Sequence, residues 1–286
     1  MNLVESYKDD LKLIEKPWTG CWITMTVIAL LLLPWFGNEH LIYMGTLIFI
    51  VSVGIMGQNI LIGYTGQISL GQAGFLAIGA FSFGHMAQMG LPIGLALLGA
   101  GCMAAFFGVL VGFPSLRLKG PYLAIVTLGF GIAVYQTFAS FEVLSGGRMG
   151  LVIPKFPALF GLTREASMYY FSLFLGIAFT LATYNLISSY MGRAFVAIRD
   201  NDIAAELLGV NLTRYKLLSF AISSFYTGIH GAMFAMFMGF IDPQMFNFSE
   251  SLIIFVAVVI CCFGRGCCSS QCGVPSKGRG NRRAGI

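Results

Sequence analysis

The sequence predicts an all-α, polytopic membrane protein with about eight transmembrane spans, a cytosolic N-terminus and an incomplete last span. Composition is the first observation: 57% of the residues are hydrophobic, 10% are charged, and the mean hydropathy is +0.82. An ordinary soluble domain has about 25% charged residues. The second observation is that residues 41–116 contain no Asp, Glu, Lys or Arg. A chain of this kind is typical of proteins that expose their apolar surface to lipid.

Eight apolar stretches are candidates for spans, because crossing a bilayer takes about 20 apolar residues. They lie near residues 18–36, 41–62, 68–90, 92–113, 121–140, 168–190, 217–241 and 251–264. Residues 1–17 mix acidic and basic side chains instead of forming a signal peptide, so we expect a cytosolic N-terminal arm there. The transmembrane domain then covers residues 18–264, and residues 265–286 form a tail.

The basic residues set the predicted orientation. With the N-terminus inside, nine basic residues before the tail fall in cytosolic segments and three in external ones. The cytosolic set is Lys8, Lys12, Lys16, Arg117, Lys119, Arg193, Arg199, Arg214 and Lys216, and the external set is Arg148, Lys155 and Arg164. This bias follows the positive-inside rule. Because the charges are scattered among loops, the net charge of +5 does not indicate nucleic-acid binding.

The predicted spans contain no carboxylate, Lys or Arg, which argues against a carrier driven by a proton or sodium gradient, since such carriers rely on buried ionisable groups. His85 and His230 remain, and we expect both to be structural, hydrogen-bonded to a neighbouring helix. The sequence has no Gly-x4-Gly-Lys-Ser/Thr loop to cradle phosphates. The energy for transport is therefore expected to come from another subunit.

A segment rich in glycine and glutamine lies within the apolar run. Polar side chains in a span face protein or a water-filled cavity, so Gln67, Ser69 and Gln72 are expected to line a translocation pathway. Gly63 and Gly66 are expected to break the helix there and to expose main-chain groups. Gly71, Gly74, Gly79 and Gly84 are expected to serve helix packing alone. The pair Gly108 and Gly112 and the row Ser69, Ala73, Ala77 fall at helical spacing that lets two helices approach closely.

The longest charged loop, residues 191–216, is predicted to be cytosolic and to contain a short helix. Asp200, Asn201 or Asp202 can cap its N-terminus, and Gly209 can supply the left-handed turn that ends it. A helix of two turns is unstable alone, so its apolar residues need a surface to lie on. Those residues are Ile203, Leu207 and Leu208. The surface is either a groove on a cytosolic partner or the inner face of this chain.

Three ordered stretches resemble the membrane permease subunit of the branched-chain amino acid ABC importers. They are residues 63–80 (GYTGQISLGQAGFLAIGA), 116–130 (LRLKGPYLAIVTLGF) and 192–216 (GRAFVAIRDNDIAAELLGVNLTRYK). A weaker fourth match is residues 145–151 (SGGRMGL), where the family pattern usually begins with Thr. The resemblance covers roughly residues 45–260. It identifies the family but not the ligand, since similar permeases serve branched-chain amino acids, urea or amides.

The resemblance implies an importer of the bacterial cytoplasmic membrane. Its parts would be two related permease subunits, two cytosolic ATPases that bind ATP and Mg, and an extracytoplasmic solute-binding protein. This chain would carry no cofactor, metal or catalytic residue of its own. The family's coupling loop maps onto Arg193, Arg199, Ala204, Ala205, Glu206 and Gly209. Glu206 would face a basic residue of the ATPase, and Ala204 and Ala205 would allow close approach.

Ser145, Gly146 and Gly147 lie on the predicted external side. A tight turn is the default reading of the two glycines. The functional alternative is a surface that contacts the docked binding protein.

The end of the chain departs from the family after Ile260. Five cysteines, five basic residues and six glycines fall in the last 26 residues. We expect a reading-frame shift or sequence error near Ile260, which would truncate the last span and could prevent assembly. The tail is not expected to bind zinc, because it has no Cys-x2-Cys pair and no His. The remaining alternative is a genuine basic tail attracted to anionic lipid head groups.

Two other classes of protein stay open. A secondary carrier or channel for a small polar solute explains the spans but leaves the loop helix unexplained, and it predicts uptake that does not depend on ATP. An intramembrane serine hydrolase would need a nucleophile and a base, for which only Ser69 and His85 are conceivable.

Overall fold

The computed structural model describes residues 30–31, 33–34, 38–115, 121–141, 145–146, 150–154 and 163–263. Helices account for most of these residues. In chain order they are α1 (Glu39–Asn59), α2 (Gln72–Gln88), α3 (Ile93–Ser115), α4 (Pro121–Ser140), α5 (Arg164–Ser188), α6 (Tyr190–Asp200), α7 (Asp202–Leu207), α8 (Leu212–Met238) and α9 (Phe248–Phe263). A π-helical turn, Ile60–Tyr64, follows α1, and a 3-10 helix, Pro243–Phe246, precedes α9. The two strands, β1 (Leu151–Val152) and β2 (Phe240–Ile241), pair antiparallel.

Five of the described helices are long and apolar enough to cross a membrane: α1 with its π turn, α3, α4, α5 and α8. Helices α2 and α9 are shorter, with 17 and 16 residues. Each predicted span after the first corresponds to one of these helices, so the prediction of a polytopic helical membrane protein is confirmed. Most of the first predicted span, 18–36, lies outside the described residues, as do the arm 1–17 and the tail 265–286. The total of eight spans and the cytosolic N-terminus stay predictions.

Helix α8 is the centre of the bundle, since it packs against α1, α2 and α3. Of its most apolar stretch 67% is buried, against 17% for α4 at the edge. Small residues bring α8 close to its neighbours: Gly228 meets Gly79 of α2 on one side and Ala104 of α3 on the other. Close approach of this kind stabilises helix pairs where no hydrophobic effect drives them together.

Helix packing is confirmed for Gly74, Gly79, Gly108 and Gly112, whereas Gly71 lies before α2, against Thr127, and Gly84 lies against Leu151 of β1. Gly108 and Gly112 of α3 lie against Phe220 of α8, and Gly74 of α2 lies against Gly131 of α4. The predicted row Ser69, Ala73, Ala77 is wrong as a helical row, because Ser69 lies before the first residue of α2.

The predicted span 68–90 does not begin as a helix. After the π turn, residues 65–71 are non-helical, and Gly66 has a positive φ of 69°. Other elements satisfy the freed backbone groups: the Leu70 amide donates to Oγ1 of Thr127 in α4 at 3.0 Å, and the Ser69 carbonyl accepts from Nε2 of Gln58 at 2.7 Å. Helix α2 therefore starts at Gln72. Buried main-chain groups can leave the helical pattern only where such partners exist.

The two ends of α8 have different neighbours. Before its N-terminus lie α6 and α7, in the segment predicted to be cytosolic. After its C-terminus, which Gly239 ends in a left-handed conformation, lies the paired strand β2. The segment around Ser145 leads into β1, so the predicted coupling and docking segments lie at opposite ends of the bundle.

Candidate functional site

The site is built from two segments, the break between α1 and α2 (residues 60–71) and the coupling segment (residues 190–216). The break contains Gly63, Gly66, Gln67 and Ser69, and Gln72 follows it directly. The structure therefore places all five predicted pathway residues at one helix interruption. The predicted break is found at Gly66, in the non-helical stretch, whereas Gly63 lies within the π turn Ile60–Tyr64. The exposure of main-chain groups to a solute stays a prediction.

A buried polar cluster lies beside the break: Gln58, Gln72, Ser223 and Thr227. The Gln72 amide nitrogen donates to Oε1 of Gln58 and, at 3.4 Å, to Oγ of Ser223. The Thr227 hydroxyl donates to Oε1 of Gln72. All four side chains are at most 1% exposed. In hydrocarbon, satisfied hydrogen bonds of this kind hold helices together, so the cluster fixes the start of α2 against α1 and α8.

Gln67 and Ser69 are also turned into the protein. Nε2 of Gln67 donates to Oγ of Ser219 at 3.0 Å and to Oγ1 of Thr65 at 3.1 Å. Ser69 is completely buried, and its Oγ accepts from the Gly71 amide at 3.4 Å. In this conformation the predicted pathway residues contact the other helices of the chain. Their role in lining a pathway stays a prediction.

The coupling segment folds as two helices. Asn201 caps α7, with Oδ1 accepting from the amides of Ile203 at 3.0 Å and Ala204 at 3.2 Å. Gly209 follows with a φ of 83°, so the predicted start and end of this helix are confirmed. An ion pair of 2.7 Å between Lys216 and Asp202 holds α7 to the first turns of α8.

The apolar side chains of α7 point away from the chain. Ile203, Leu207 and Leu208 are 69%, 85% and 81% exposed. Ala205 alone is buried against the bundle, whereas Ala204 and Glu206 are exposed. The alternative in which these three side chains pack on the chain's own inner face is therefore wrong for this conformation. Such a surface on a short helix is typical of a docking element.

Helix α6 was not predicted, because residues 192–201 were assigned to a loop. Gly192, Ala194, Phe195 and Ile198 are its buried residues. The apolar positions 194, 195 and 198 follow the helical period, which is the signal that could have revealed this helix. Arg193, on its exposed side, lies over the ring of Tyr190 at 5.8 Å.

Arg199 connects the two segments. From the last turn of α6, its Nη1 donates a hydrogen bond to the carbonyl oxygen of Gly63 in the break. Its side-chain carbons lie beside Gly66, where an added Cβ would stand 3.4 Å from Cγ of Arg199. The sequence assigned Arg199 to the coupling segment and Gly63 to the pathway, but it contained no sign that they touch.

Two further sets of predicted residues have simpler surroundings. His230 is 3% exposed and packs against Gly54, but its Nδ1 has no hydrogen-bond partner among the described residues, so the hydrogen bond expected for it is not seen. His85 lies in the last turn of α2.

The residues predicted to dock the binding protein lie just before β1. Ser145 is buried, and its hydroxyl donates a hydrogen bond to the Phe141 carbonyl at 3.2 Å. Gly146 has a φ of 72°. Gly147 lies outside the described residues.

In the part of the chain that the structure describes, no group of three or more His, Cys, Asp or Glu side chains could hold a metal ion.

Residues 38–270 match the sequence model of the family described as "Branched-chain amino acid transport system / permease component". The chain is 37% identical over 265 residues to the high-affinity branched-chain amino acid transport system permease protein LivM of Escherichia coli (strain K12), covering 82% of this chain and 62% of that protein. It is 38% identical over 242 residues to LivM of Salmonella typhimurium, covering 75% of this chain and 56% of that protein.

A weaker similarity is to the autoinducer 2 import system permease protein LsrC of Enterobacter sp. (strain 638), at 25% identity over 186 residues, covering 64% of this chain and 52% of that protein. The chain thus spans less than two thirds of the length of these relatives. No solved structure matches the chain significantly.

Proposed function

Because the chain belongs to the permease-component family of branched-chain amino acid transport systems, we propose that it is a membrane subunit of an ATP-driven importer. Its solute would be leucine, isoleucine, valine or a related small polar molecule. The name of the Escherichia coli relative, a high-affinity branched-chain amino acid permease, supports this solute class. The membrane would be the bacterial cytoplasmic membrane.

The exposed apolar surface of α7 is the observation that carries the proposal. Three large apolar side chains are exposed to solvent: Ile203 and Leu207 on α7, a helix of six residues, and Leu208 directly after it. Exposure of this surface is unfavourable unless a partner covers it, because each buried side chain of this size contributes roughly 1.5–3 kcal/mol. The partner would be a cytosolic ATPase subunit, one of two that bind ATP and Mg.

The contact between Arg199 and Gly63 supports a path by which movement of the ATPases would reach the membrane helices. When the ATPases close, they would move α7 and α6 as a unit, since Asn201 caps α7 and directly follows α6. The guanidinium of Arg199 would then pull on the main chain of the break. A break is the part of a membrane helix that can rotate without disrupting a full hydrogen-bond ladder, so movement there would change access to the pathway.

The other partners follow from the same proposal. A second permease subunit would complete the pathway, and an extracytoplasmic binding protein would deliver the solute at the end of the bundle that holds Ser145, Gly146 and the paired strands. Hydrolysis of ATP would take place in the partner subunits, and this chain would contribute transport alone.

Copurification of the ATPase with the tagged chain from native membranes tests the proposal. The variant Leu207→Asp places a charge in the centre of the α7 surface, and we expect it to lose the ATPase while remaining in the membrane. Met89→Asp is the matched control, because Met89 is 78% exposed in the cap of α2, on the strand-bearing side. Retention of the ATPase by Leu207→Asp, or recovery of the unmodified chain with no ATPase, would overturn the assignment.

A further inference from the structure

A cavity of about 320 Å³ lies between α4, α9 and the break, and no sequence pattern indicated it. The side of α4 that faces it carries Leu128, Ile132 and Tyr135, and Leu70 enters from the break. Its volume is at the lower end of the range of about 300–1,000 Å³ found for ligand pockets. A small molecule would fill it.

The chemistry of the lining is amphiphilic and uncharged. Leu70, Leu128, Ile132 and Phe246 supply apolar walls, and the polar groups come from Tyr135, Asn247 and Ser251. A lining without an ionised side chain disfavours a solute with net charge, because an uncompensated charge at membrane depth is costly. It suits a neutral or zwitterionic molecule with a short aliphatic part.

The exposed face of α4 beside the cavity differs from a lipid-facing surface. Apart from Ile132, its second half exposes small and polar residues: Gly129, Ala133, Gln136, Thr137, Ala139 and Ser140. Helix α3, by contrast, exposes Leu95, Leu98, Phe106, Leu110 and Phe113. Polar groups in a span face water or protein and not hydrocarbon. The cavity therefore opens beside a surface that suits an aqueous pathway.

We propose that this cavity is the solute site that the subunit contributes to the pathway, and that it takes a zwitterionic amino acid with an aliphatic side chain. The inference rests on the proposed function, which it deepens by placing the solute. The aliphatic side chain lies against Leu128, Ile132 and Phe246. The ammonium and carboxylate groups face Tyr135, Asn247 and the water of the pathway, shared with the second permease subunit.

The break connects this site to the coupling segment. Leu70 of the break lines the cavity, and the Ala73 amide at the start of α2 donates to Oγ of Ser251 in α9 at 2.8 Å. Arg199 holds Gly63 at the other end of the same stretch. A shift of the break would therefore reshape the cavity directly.

Cysteine accessibility tests the site, with leucine and other neutral solutes as the probes. Ile132→Cys and Leu98→Cys are made in a chain whose native cysteines are serine, and the assembled transporter is studied in membrane vesicles of both orientations, with and without ATP. The two positions are matched in exposure, at 51% and 52%. We expect a charged, membrane-impermeant thiol reagent to modify Ile132→Cys at least about tenfold faster than Leu98→Cys, because charged reagents avoid hydrocarbon.

The outcomes separate this inference from the proposed function. Fast modification that leucine slows supports both. Fast modification that only a different neutral solute slows supports the cavity as a solute site and overturns the choice of branched-chain amino acids. Modification as slow as that of Leu98→Cys in every condition, or fast modification that no solute slows, overturns the site.

Enlarging a side chain that lines the cavity gives a second test of the site. Ile132→Trp should fill the cavity and cause a loss of leucine uptake, whereas Ile125→Trp, seven residues earlier on the same exposed side and outside the cavity lining, should preserve it. Copurification of the partner subunits shows that both variants assemble. Equal uptake by the two assembled variants would contradict the site.

Discussion

Arg199 in the last turn of α6 donates a hydrogen bond to the carbonyl oxygen of Gly63 in the π turn that follows α1. The residues are separated by 136 positions in the sequence, and they join the segment predicted to be cytosolic to the interruption between α1 and α2. A carbonyl at a helix break lacks its usual helical partner, so a guanidinium can hold it strongly. The contact links ATPase docking to the pathway in our proposal.

Replacement of Arg199 by Ala should uncouple transport from ATP hydrolysis. The variant removes the donor to Gly63 but leaves the exposed surface of α7 intact, so the ATPase should still bind and hydrolyse ATP. We expect the ratio of solute imported to ATP hydrolysed to fall in proteoliposomes. Arg214→Ala, which removes an exposed arginine from the first turn of α8, is the control and should keep the ratio. An unchanged ratio for Arg199→Ala would remove the contact from the mechanism.

Reversal of the charge at Glu206 should abolish ATP-driven uptake while the protein stays in the membrane. Glu206 is exposed on α7, and in the proposed complex it faces a basic residue of the ATPase. Lysine at this position would put two positive charges together. Glu206→Gln keeps the size without the charge and should be less harmful. Uptake by Glu206→Lys at the level of the unmodified chain would show that Glu206 takes no part.

Replacement of Gln72 by Leu should destabilise the bundle. The side chains of Gln58 and Thr227 would lose their shared partner at a site that is at most 1% exposed. Buried groups left unsatisfied cost about 1–3 kcal/mol each. Thermal unfolding in detergent should therefore occur at a lower temperature than for the unmodified chain. Gln136→Leu, on the exposed face of α4, is the matched control, and equal melting temperatures for both variants would contradict the importance of the cluster.

Replacement of Gly79 by Ala should weaken the contact between α2 and α8. An added Cβ would stand 2.5 Å from Cα of Gly228, so the helices would have to separate. Overpacking of this kind costs about 1–3 kcal/mol. Gly94→Ala is the control, because nothing lies within 4 Å of a Cβ at Gly94. The fraction of monodisperse protein after heating measures the effect, and an equal fraction for both variants would show that the helices can adjust.

The sequence predicted the helical segments well and their ends less well. Apolar runs of about 20 residues locate spans, because a helix needs that length to cross the hydrocarbon core of a bilayer. The cap at Asn201 and the turn at Gly209 were also readable, since both depend on neighbouring residues alone. The start of α2 was not, because residues 68–71 are apolar or small and leave the helix only through contacts with Thr127 and Gln58.

The residues of the candidate site were also predicted only in part. Gln67, Ser69 and Gln72 were conspicuous as polar groups in an apolar run. The partners of Gln67 and Gln72 in α8, however, lie over 150 positions away: Ser219, Ser223 and Thr227. Helix α6 was missed because its apolar positions were read as part of a charged loop. The cavity beside Ile132 had no local signal, since its lining comes from three stretches that are distant in the chain, residues 70–73, 128–135 and 246–251.

By itself, the sequence determined the membrane class, the positions of the helical segments, the family, and the presence of a short capped helix in the coupling segment. The family follows from the resemblance of three ordered stretches, and the other features follow from composition, from period and from residues adjacent in the chain. The tertiary structure decided where the break lies, that Arg199 holds it, and that the side chains of α7 are exposed. It also decided that a cavity forms between α4 and α9. The physical reason is that polar groups in a bilayer are satisfied by whichever helix packs beside them, and packing is a property of the whole bundle.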